Sequence, residues 1–381
     1  MINKDVIIIG GGSTGLATAY YLEKKGITDV LILEKGYVGS GSTGRCGSGI
    51  RAQFNDRPTV EMMKRAETEW KELSENLDFE FTQSGYLYLH YTEEDLNHYR
   101  EMCDFQNSLG VPTEMLSPKE AKGICELIDI SDVKGASFNP EDGKAHPFDV
   151  VTAFRKFFHE SEVELKEGEE VVNVSRRDGD ELKLVEAGDV TYGTHILVNA
   201  AGGWAPKIGA MMGLEIPIEP YRHQAIITEP FKSGRVEPMI ISMHHDAAYL
   251  TQTPRGGVIG GVGTPDHEEP TYDMRESLEF ENRVSKAFGS IIPGLKQARI
   301  LRHWAGYYAI TPDGNPLIGE YGVPNHYLAA GFSGHGYMMA PAVGEGLAQL
   351  ITESNPELPL DYYDPERIDR GELREGALQM G

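Results

Sequence analysis

The stretch from Asp5 to Glu34 constrains the fold more than any other part of the chain. Asp5 to Ile9 is a short β-branched run that ends on Gly10-Gly11-Gly12-Ser13-Thr14-Gly15. Leu16 to Lys25 carries apolar residues at helical spacing and is closed by Gly26, and Val30 to Leu33 gives a second apolar strand ending at Glu34. Together these make a complete βαβ unit. Gly10, Gly12 and Gly15 fit the G-x-G-x-x-G pattern. The first glycine permits a tight turn, the second lets a pyrophosphate approach the backbone, and the third lets helix and strand pack closely. Free N–H groups and the dipole at the helix start then attract phosphate. Glu34 stands where a carboxylate accepts from ribose hydroxyls and repels the extra phosphate of NADP. A bound dinucleotide is expected; the alternative is a glycine turn in another α/β fold.

The motif alone does not separate NAD from FAD. Two distant segments favour FAD. Leu197 to Gly202 reads as a strand ending in the small residues Ala200, Ala201 and Gly202, which can pack against a cofactor. Ala329 to Gly336 is a second glycine loop, opening a helix at Tyr337 whose N-terminus suits negative charge on a reduced flavin. The alternative for that loop is a plain helix entry.

Between these segments the pattern changes. A Gly- and Ser-rich loop (39–49) precedes a helical stretch from Thr59 to Leu77, a strand-like Phe81 to His90 and a helical Glu93 to Leu109. Phe148 to His159 reads as a helix and Val171 to Val174 as a strand. Gln224–Thr228, Met239–Ser242, Ala248–Thr253 and Val258–Val262 alternate as strands of an antiparallel sheet. The expected fold is mixed α/β and α+β: an FAD-binding Rossmann-like βαβ domain with an inserted substrate domain on a mainly antiparallel sheet. The expected FAD-binding segments are 1–80, 140–215 and 300–355. Segments 81–139 and 216–299 form the expected substrate domain, and 356–381 the C-terminal tail.

Composition narrows the class of partner. The 59 Asp and Glu against 35 Lys and Arg give a formal net charge of −24, a surface that repels nucleic acid and anionic membrane. Cys46, Cys103 and Cys125 are odd in number and lack CxxC spacing, which argues against a disulfide framework or zinc site and fits a reducing compartment. The start runs directly into the glycine motif, and no apolar stretch nears the roughly 20 residues that span a bilayer. A soluble cytoplasmic protein is the expectation.

Four stretches carry a family resemblance: GSGSTGRCGSGIRAQF (39–54), WAGYYAITPDGNPLIG (304–319), AAGFSGHGYMMAPAVGE (329–345) and the tail from Tyr363, YDPERIDRGELREGALQMG. With the N-terminal motif they resemble the D-amino-acid-oxidase-type flavoproteins, alongside glycine and sarcosine oxidases, and among them the catalytic beta subunits of archaeal dye-linked L-proline dehydrogenases. The resemblance covers essentially the whole chain. It implies a two-domain fold, FAD, and oxidation of a C–N bond by hydride transfer to flavin N5. It also implies an alpha partner subunit, with a homo-oligomer the alternative, and an FMN at the subunit interface.

Carried over by position, the cofactor set is Gly10, Gly12, Ser13, Thr14, Gly15, Glu34, Lys35, Ser42, Thr43, Arg45, Cys46, Gly47, Val171, Ala200, Ala201, Gly202, Trp204, Gly306, Gly331, Gly334, His335, Gly336, Tyr337 and Met338. Monomeric sarcosine oxidases anchor FAD through a cysteine five residues before a Thr-Pro. Here Gly306 holds that place ahead of Thr311-Pro312, so the FAD is expected to be non-covalent. Arg51, Tyr249 and His335 are the candidate catalytic residues, Arg51 as the fork for a substrate carboxylate. A structural salt bridge is the alternative for Arg51, and a place in the sheet is the better reading of His245.

Two departures separate the chain from sarcosine oxidase. The FSGHG loop continues with Tyr337 and Met338 where that enzyme has a carboxylate-binding lysine. Its oxygen-activating lysine would align near Ile259, inside a lysine-free stretch (256–263). A dehydrogenase oxidising a small amino acid or secondary amine, L-proline foremost, is therefore expected over an oxidase. The competing readings are an oxygen-using sarcosine or glycine oxidase, a non-catalytic FAD-carrying relay subunit, and, weakest, an NAD enzyme. Cys46 beside Arg45 has two readings, an activated thiol and, better, a packing residue.

Overall fold

In the computed structural model, residues 1–176, 182–353 and 356–374 are described. The opening strand Ile2–Ile9 lies between Val190–Asn199 and Val30–Glu34, parallel to both. Register sets Ile9 beside Leu33 and Asn199, so the strands end level. Gly10 N–H donates to Leu33 O at 2.9 Å, and Ala200 N–H to Ile9 O at 2.9 Å. This is the crevice beyond the carboxyl ends of parallel strands in which α/β folds bind ligands. Glu164–Glu167 extends the sheet on one side, while Lys183–Ala187 and Val171–Arg176 extend it antiparallel on the other. His326–Ala330 runs parallel to the end of Val190–Asn199, which brings the second glycine loop to the same edge.

The strand interiors are apolar because both faces are covered. Val6 to Ile9 and Val30 to Glu34 are buried throughout. The opening helix Ser13–Lys24 packs against the late helix Gly336–Glu353, where a Cβ on Gly344 would sit 2.6 Å from the Ala17 carbonyl carbon. Sequence-distant ends thus share one core.

The second sheet runs in the order Ile300–Ile310, Glu219–Thr228, Val258–Gly261, Ala248–Gln252, Met239–Ser242, Tyr86–His90, Gly135–Asn139, Glu114–Leu116. All neighbours are antiparallel except Met239–Ser242 with Tyr86–His90. Alternation divides its faces. Leu87, Leu89, Ile240 and Leu250 pack under the helix Leu278–Ile291, while Tyr86, Tyr88, Met239 and Ile241 form a separate cluster with Tyr249.

Three features differ from expectation. Phe81 to His90 is broken at Gly85 (φ +79°) into Phe81–Thr82, in a small sheet with Gly143–Ala145 and Gly49–Ile50, and Tyr86–His90. Ile300–Ile310 lies in the second sheet beside Glu219–Thr228, although 300–355 was read as nucleotide-binding. The helix Leu278–Ile291, capped by the Ser277 side chain, had no counterpart in the sequence reading. Among the described residues, no helix is long and apolar enough to cross a membrane.

The tail has a definite job up to Arg374; residues 375–381 lie outside the described residues. Arg367 is fully buried and pairs with Asp313 through Nε (2.9 Å) and Nη2 (2.8 Å), while Nη1 donates to the Pro316, Tyr363 and Asp364 carbonyls. Asp313 also accepts from Asn315 N–H (3.0 Å) and Arg374 N–H (3.2 Å). The tail therefore clamps the turn between Ile300–Ile310 and Leu317–Glu320. Arg367→Leu leaves Asp313 buried without its cation, and a loss of about 3–5 kcal/mol is expected. Chemical denaturation of the two proteins side by side measures it.

Candidate active site

The glycines of the first turn do different work. Gly10 has φ +116°, and a Cβ there would lie 2.4 Å from the Ala200 carbonyl oxygen; one on Gly15 would lie 2.1 Å from the Gly10 oxygen. Both are demanded by the chain's own packing. A Cβ on Gly12 would meet only Thr43 Oγ1, at 3.4 Å, and its open side faces the cavity. The opening helix has no side-chain cap at Gly12, and of its first amides Ser13 N–H donates to Thr43 Oγ1 at 3.0 Å. Glu34 accepts from Gly11 N–H (2.8 Å), Gly36 N–H (2.8 Å) and the Ser40 hydroxyl (3.2 Å), which pins the turn and keeps the carboxylate at the cavity wall. A glycine face free of side chains, an uncapped helix start and a carboxylate beside it fit the diphosphate and ribose of a dinucleotide.

From this turn a cavity of about 580 Å³ runs toward the second sheet. Every residue of the sequence-derived set lines it except Gly15, whose role is packing. His245 lies outside it, its Nδ1 2.9 Å from Ser242 Oγ and its ring against Tyr91. The 39–49 loop is docked on Ile300–Ile310 by the Ser42 hydroxyl, which donates to Tyr307 O at 3.0 Å. Trp304 Nε1–H adds a bond to Arg45 O at 3.0 Å. At the other glycine loop, Gly334 (φ +94°) leaves no room for a Cβ, which would fall 2.7 Å from the Tyr308 ring.

Arg51 is 4% exposed and faces this cavity. Its Nη1 donates to Gln53 O, its Nη2 lies 3.2 Å from His335 Nε2, and its guanidinium lies 3.8 Å over the Phe54 ring. None of these partners is a carboxylate, so the salt-bridge alternative finds no support among the described residues. Arginine is always the donor. His335 Nε2 therefore accepts, and Nδ1–H donates to Ser333 O at 3.2 Å. Burial, with Arg51 adding to it, pushes His335 down to about 3.

Sequence reasoning missed much of the opposite wall. His223 stacks on Tyr308 (4.0 Å between centroids, 10° between planes), with Nε2 3.2 Å from Tyr249 Oη and Nδ1 3.1 Å from Thr264 Oγ1. Burial pushes His223 down to about 3 and the phenols of Tyr86, Tyr249 and Tyr308 well above their ordinary range. The wall is neutral and aromatic. The signal for it lies in the register of Glu219–Thr228 with Ile300–Ile310, where His223 sits opposite Gly306.

Two lysines line the cavity, both at the end beside Glu34: Lys35, whose Nζ lies 3.5 Å over the Trp204 ring, and Lys207, 4.2 Å over Tyr272. Ile259 is not part of the lining. Cys46 does line it, but burial pushes its thiol up to about 12, and Arg45 turns its Nη1 to Gly41 O at 2.9 Å. The activated-thiol reading gives way to packing.

Two outcomes are expected. Gly15→Ala drives a methyl into the Gly10 carbonyl, so the purified variant should have a markedly lower ratio of flavin to protein absorbance than the parent. His223 and His335 are neutral when folded, while the unfolded chain takes up protons below its ordinary pKa of 6.5. Their contribution to stability is complete above that pH and falls away down to about 3. Thermal unfolding followed from neutral pH downward should show Tm dropping, and a flat profile would contradict the assignment.

A family model described as "FAD dependent oxidoreductase" (DAO) matches residues 5–350. The sarcosine oxidase beta subunit of Arthrobacter sp is 29% identical over 97% of this chain and 92% of its own length. The crystal structure of L-proline dehydrogenase from P. horikoshii superposes with a TM-score of 0.94 at 48% identity, covering 98% of this chain and 100% of that one. Glycine oxidase from Geobacillus kaustophilus shares the fold, with a TM-score of 0.88 at 24% identity over 96% of this chain and 99% of that one. The chain belongs to the DAO family of FAD-dependent oxidoreductases.

Proposed function

We propose that the protein is a dehydrogenase oxidising the C–N bond of a small amino acid or secondary amine to the imine, with L-proline the favoured substrate. The observation that carries this reading is Arg51, a buried cation turned to the cavity and offering N–H groups that Gln53 and His335 do not use. Such a group strongly favours an anionic partner, and a carboxylate matches its fork. The 48% identity to the P. horikoshii enzyme supports L-proline among carboxylate-bearing amines.

A non-covalently bound FAD supplies the acceptor for the hydride. Gly12, Ser13 and Thr14 would hold its diphosphate, Glu34 its ribose, and the 39–49 and 329–336 loops its ring. Arg51 binds and orients the substrate carboxylate. His335 has both ring nitrogens engaged, so it fixes Arg51 rather than moving a proton. Tyr249, held by His223, closes the far side, and the buried Tyr86 and Tyr308 rings exclude water. The groups around Arg51 are phenols and a neutral imidazole, with no strong base beside it among the described residues, so the amine reacts in its unprotonated form. The lysines stay at the Glu34 end, which favours a dehydrogenase over an oxygen-using sarcosine or glycine oxidase. Relatives named as beta subunits support an alpha partner subunit, and flavin extraction tests whether FMN accompanies FAD.

The test is anaerobic mixing of purified holoprotein with L-proline, sarcosine, glycine and D-amino acids. L-Proline should bleach the flavin fastest, and bleaching by none of them would refute an amine substrate. Turnover with a dye acceptor and no added partner would exclude a pure relay subunit. Arg51→Lys replaces a fork by a point charge, and KM for L-proline should rise about ten- to a hundredfold. At low substrate the reduction rate should climb with pH as the amine deprotonates, with no histidine step across about pH 5–8.

A further inference from the structure

Behind Arg51, away from the cavity, lies a pair of carboxyl groups that the reaction above does not use. Asp142 is fully buried in the turn between Gly135–Asn139 and Gly143–Ala145. Its Oδ1 accepts from Ala52 N–H at 2.8 Å and Asn139 Nδ2 at 2.7 Å, and its Oδ2 accepts from Gln53 Nε2 at 2.7 Å. Glu67, from the helix Arg57–Leu77, shares a side-chain hydrogen bond with it, while Glu67 Oε1 is buried with no donor. We propose that Asp142, braced by Glu67, is the positioning residue that sets Arg51 for the substrate carboxylate. This rests on the carboxylate reading of Arg51 given above.

The geometry supplies the reason. Ala52 and Gln53 are the two residues after Arg51, and both are tied to the one carboxylate. Gln53 O is in turn the acceptor of Arg51 Nη1–H, so fixing Gln53 fixes one edge of the guanidinium. Gln53 Nε2 also donates to Tyr86 O at 3.2 Å, and Gly85 N–H to Asp142 O at 2.8 Å, which ties the Tyr86 wall to the same anchor. Two touching carboxyl groups, one buried and one half-buried, strongly disfavour ionising together. Burial pushes the Asp142 carboxyl up, but the hydrogen bond from Glu67, three N–H donors and the field of Arg51 pull it back, so of the two it carries the charge. Burial and that neighbouring charge hold the Glu67 carboxyl well above the usual carboxylate range, so it stays protonated and its O–H donates a hydrogen bond to Asp142. One negative charge behind Arg51 makes its burial tolerable. A second would compete with the substrate for it.

The test compares binding of tetrahydrofuran-2-carboxylate, which has no amine to oxidise, with its uncharged carboxamide, by calorimetry on the flavin-loaded full-length protein. Asp142→Asn should weaken the acid by about tenfold or more, the scale of one charge-assisted hydrogen bond, and the amide by less than about twofold. Glu67→Gln, whose amide delivers the same hydrogen bond to Asp142, should retain the preference for acid over amide, whereas Glu67→Leu should lose part of it. Should Asp142→Asn not fold, Gln53→Met cuts one of the ties and should shift the preference in the same direction. An unchanged preference in the Asp142 and Gln53 variants, or equal losses for acid and amide, overturns the proposal. If Arg51→Gln itself leaves the preference intact, the carboxylate reading of Arg51 fails instead.

Discussion

The site depends on how closely one backbone turn can approach its neighbours. Ile2–Ile9, Val30–Glu34 and Val190–Asn199 end level, and Gly10 passes so near Ala200 that any side chain would collide with its carbonyl. Gly15 meets the Gly10 carbonyl just as tightly, which draws the helix start down onto the strand. The start of Ser13–Lys24, uncapped by a side chain at Gly12, then borders the cavity. Glu34 holds the turn through Gly11 while staying at the cavity wall. The remaining residues that line the cavity are arranged around this point.

At the far end the controlling feature is electrostatic. Arg51 is a buried cation whose nearest partners are a carbonyl, a neutral imidazole and an aromatic face. Burying a charge is costly unless it is paired, and here the compensating carboxylate stands behind the neighbouring residues rather than on the guanidinium. The front of the fork is left for a ligand. His223, Tyr249 and Tyr308 add hydrogen-bonding edges and ring faces without adding charge.

Much of this was legible in the sequence because local chemistry dictates it. A βαβ unit with its glycines is specified within one short stretch, whereas the cavity-lining residues of the 39–54 and 329–338 segments follow from the family resemblance. His223, Tyr308 and Tyr86 were not legible, because they meet only through strand register between distant segments. Gly85 hid a break between two sheets inside a run that alternates like one strand. The Asp142–Glu67 pair was invisible for the same reason, since a turn and a helix far apart in the chain supply its two halves. The burial of Arg367 follows from a partner, Asp313, that lies 54 residues earlier.

Everything at this site follows from a first turn shaped to take the diphosphate of a flavin dinucleotide. Native mass spectrometry of the purified protein tests it directly. The account predicts one added mass equal to FAD on each chain, released intact when the protein is denatured. A chain that carries nothing at that crevice, or a nicotinamide dinucleotide in its place, would contradict it.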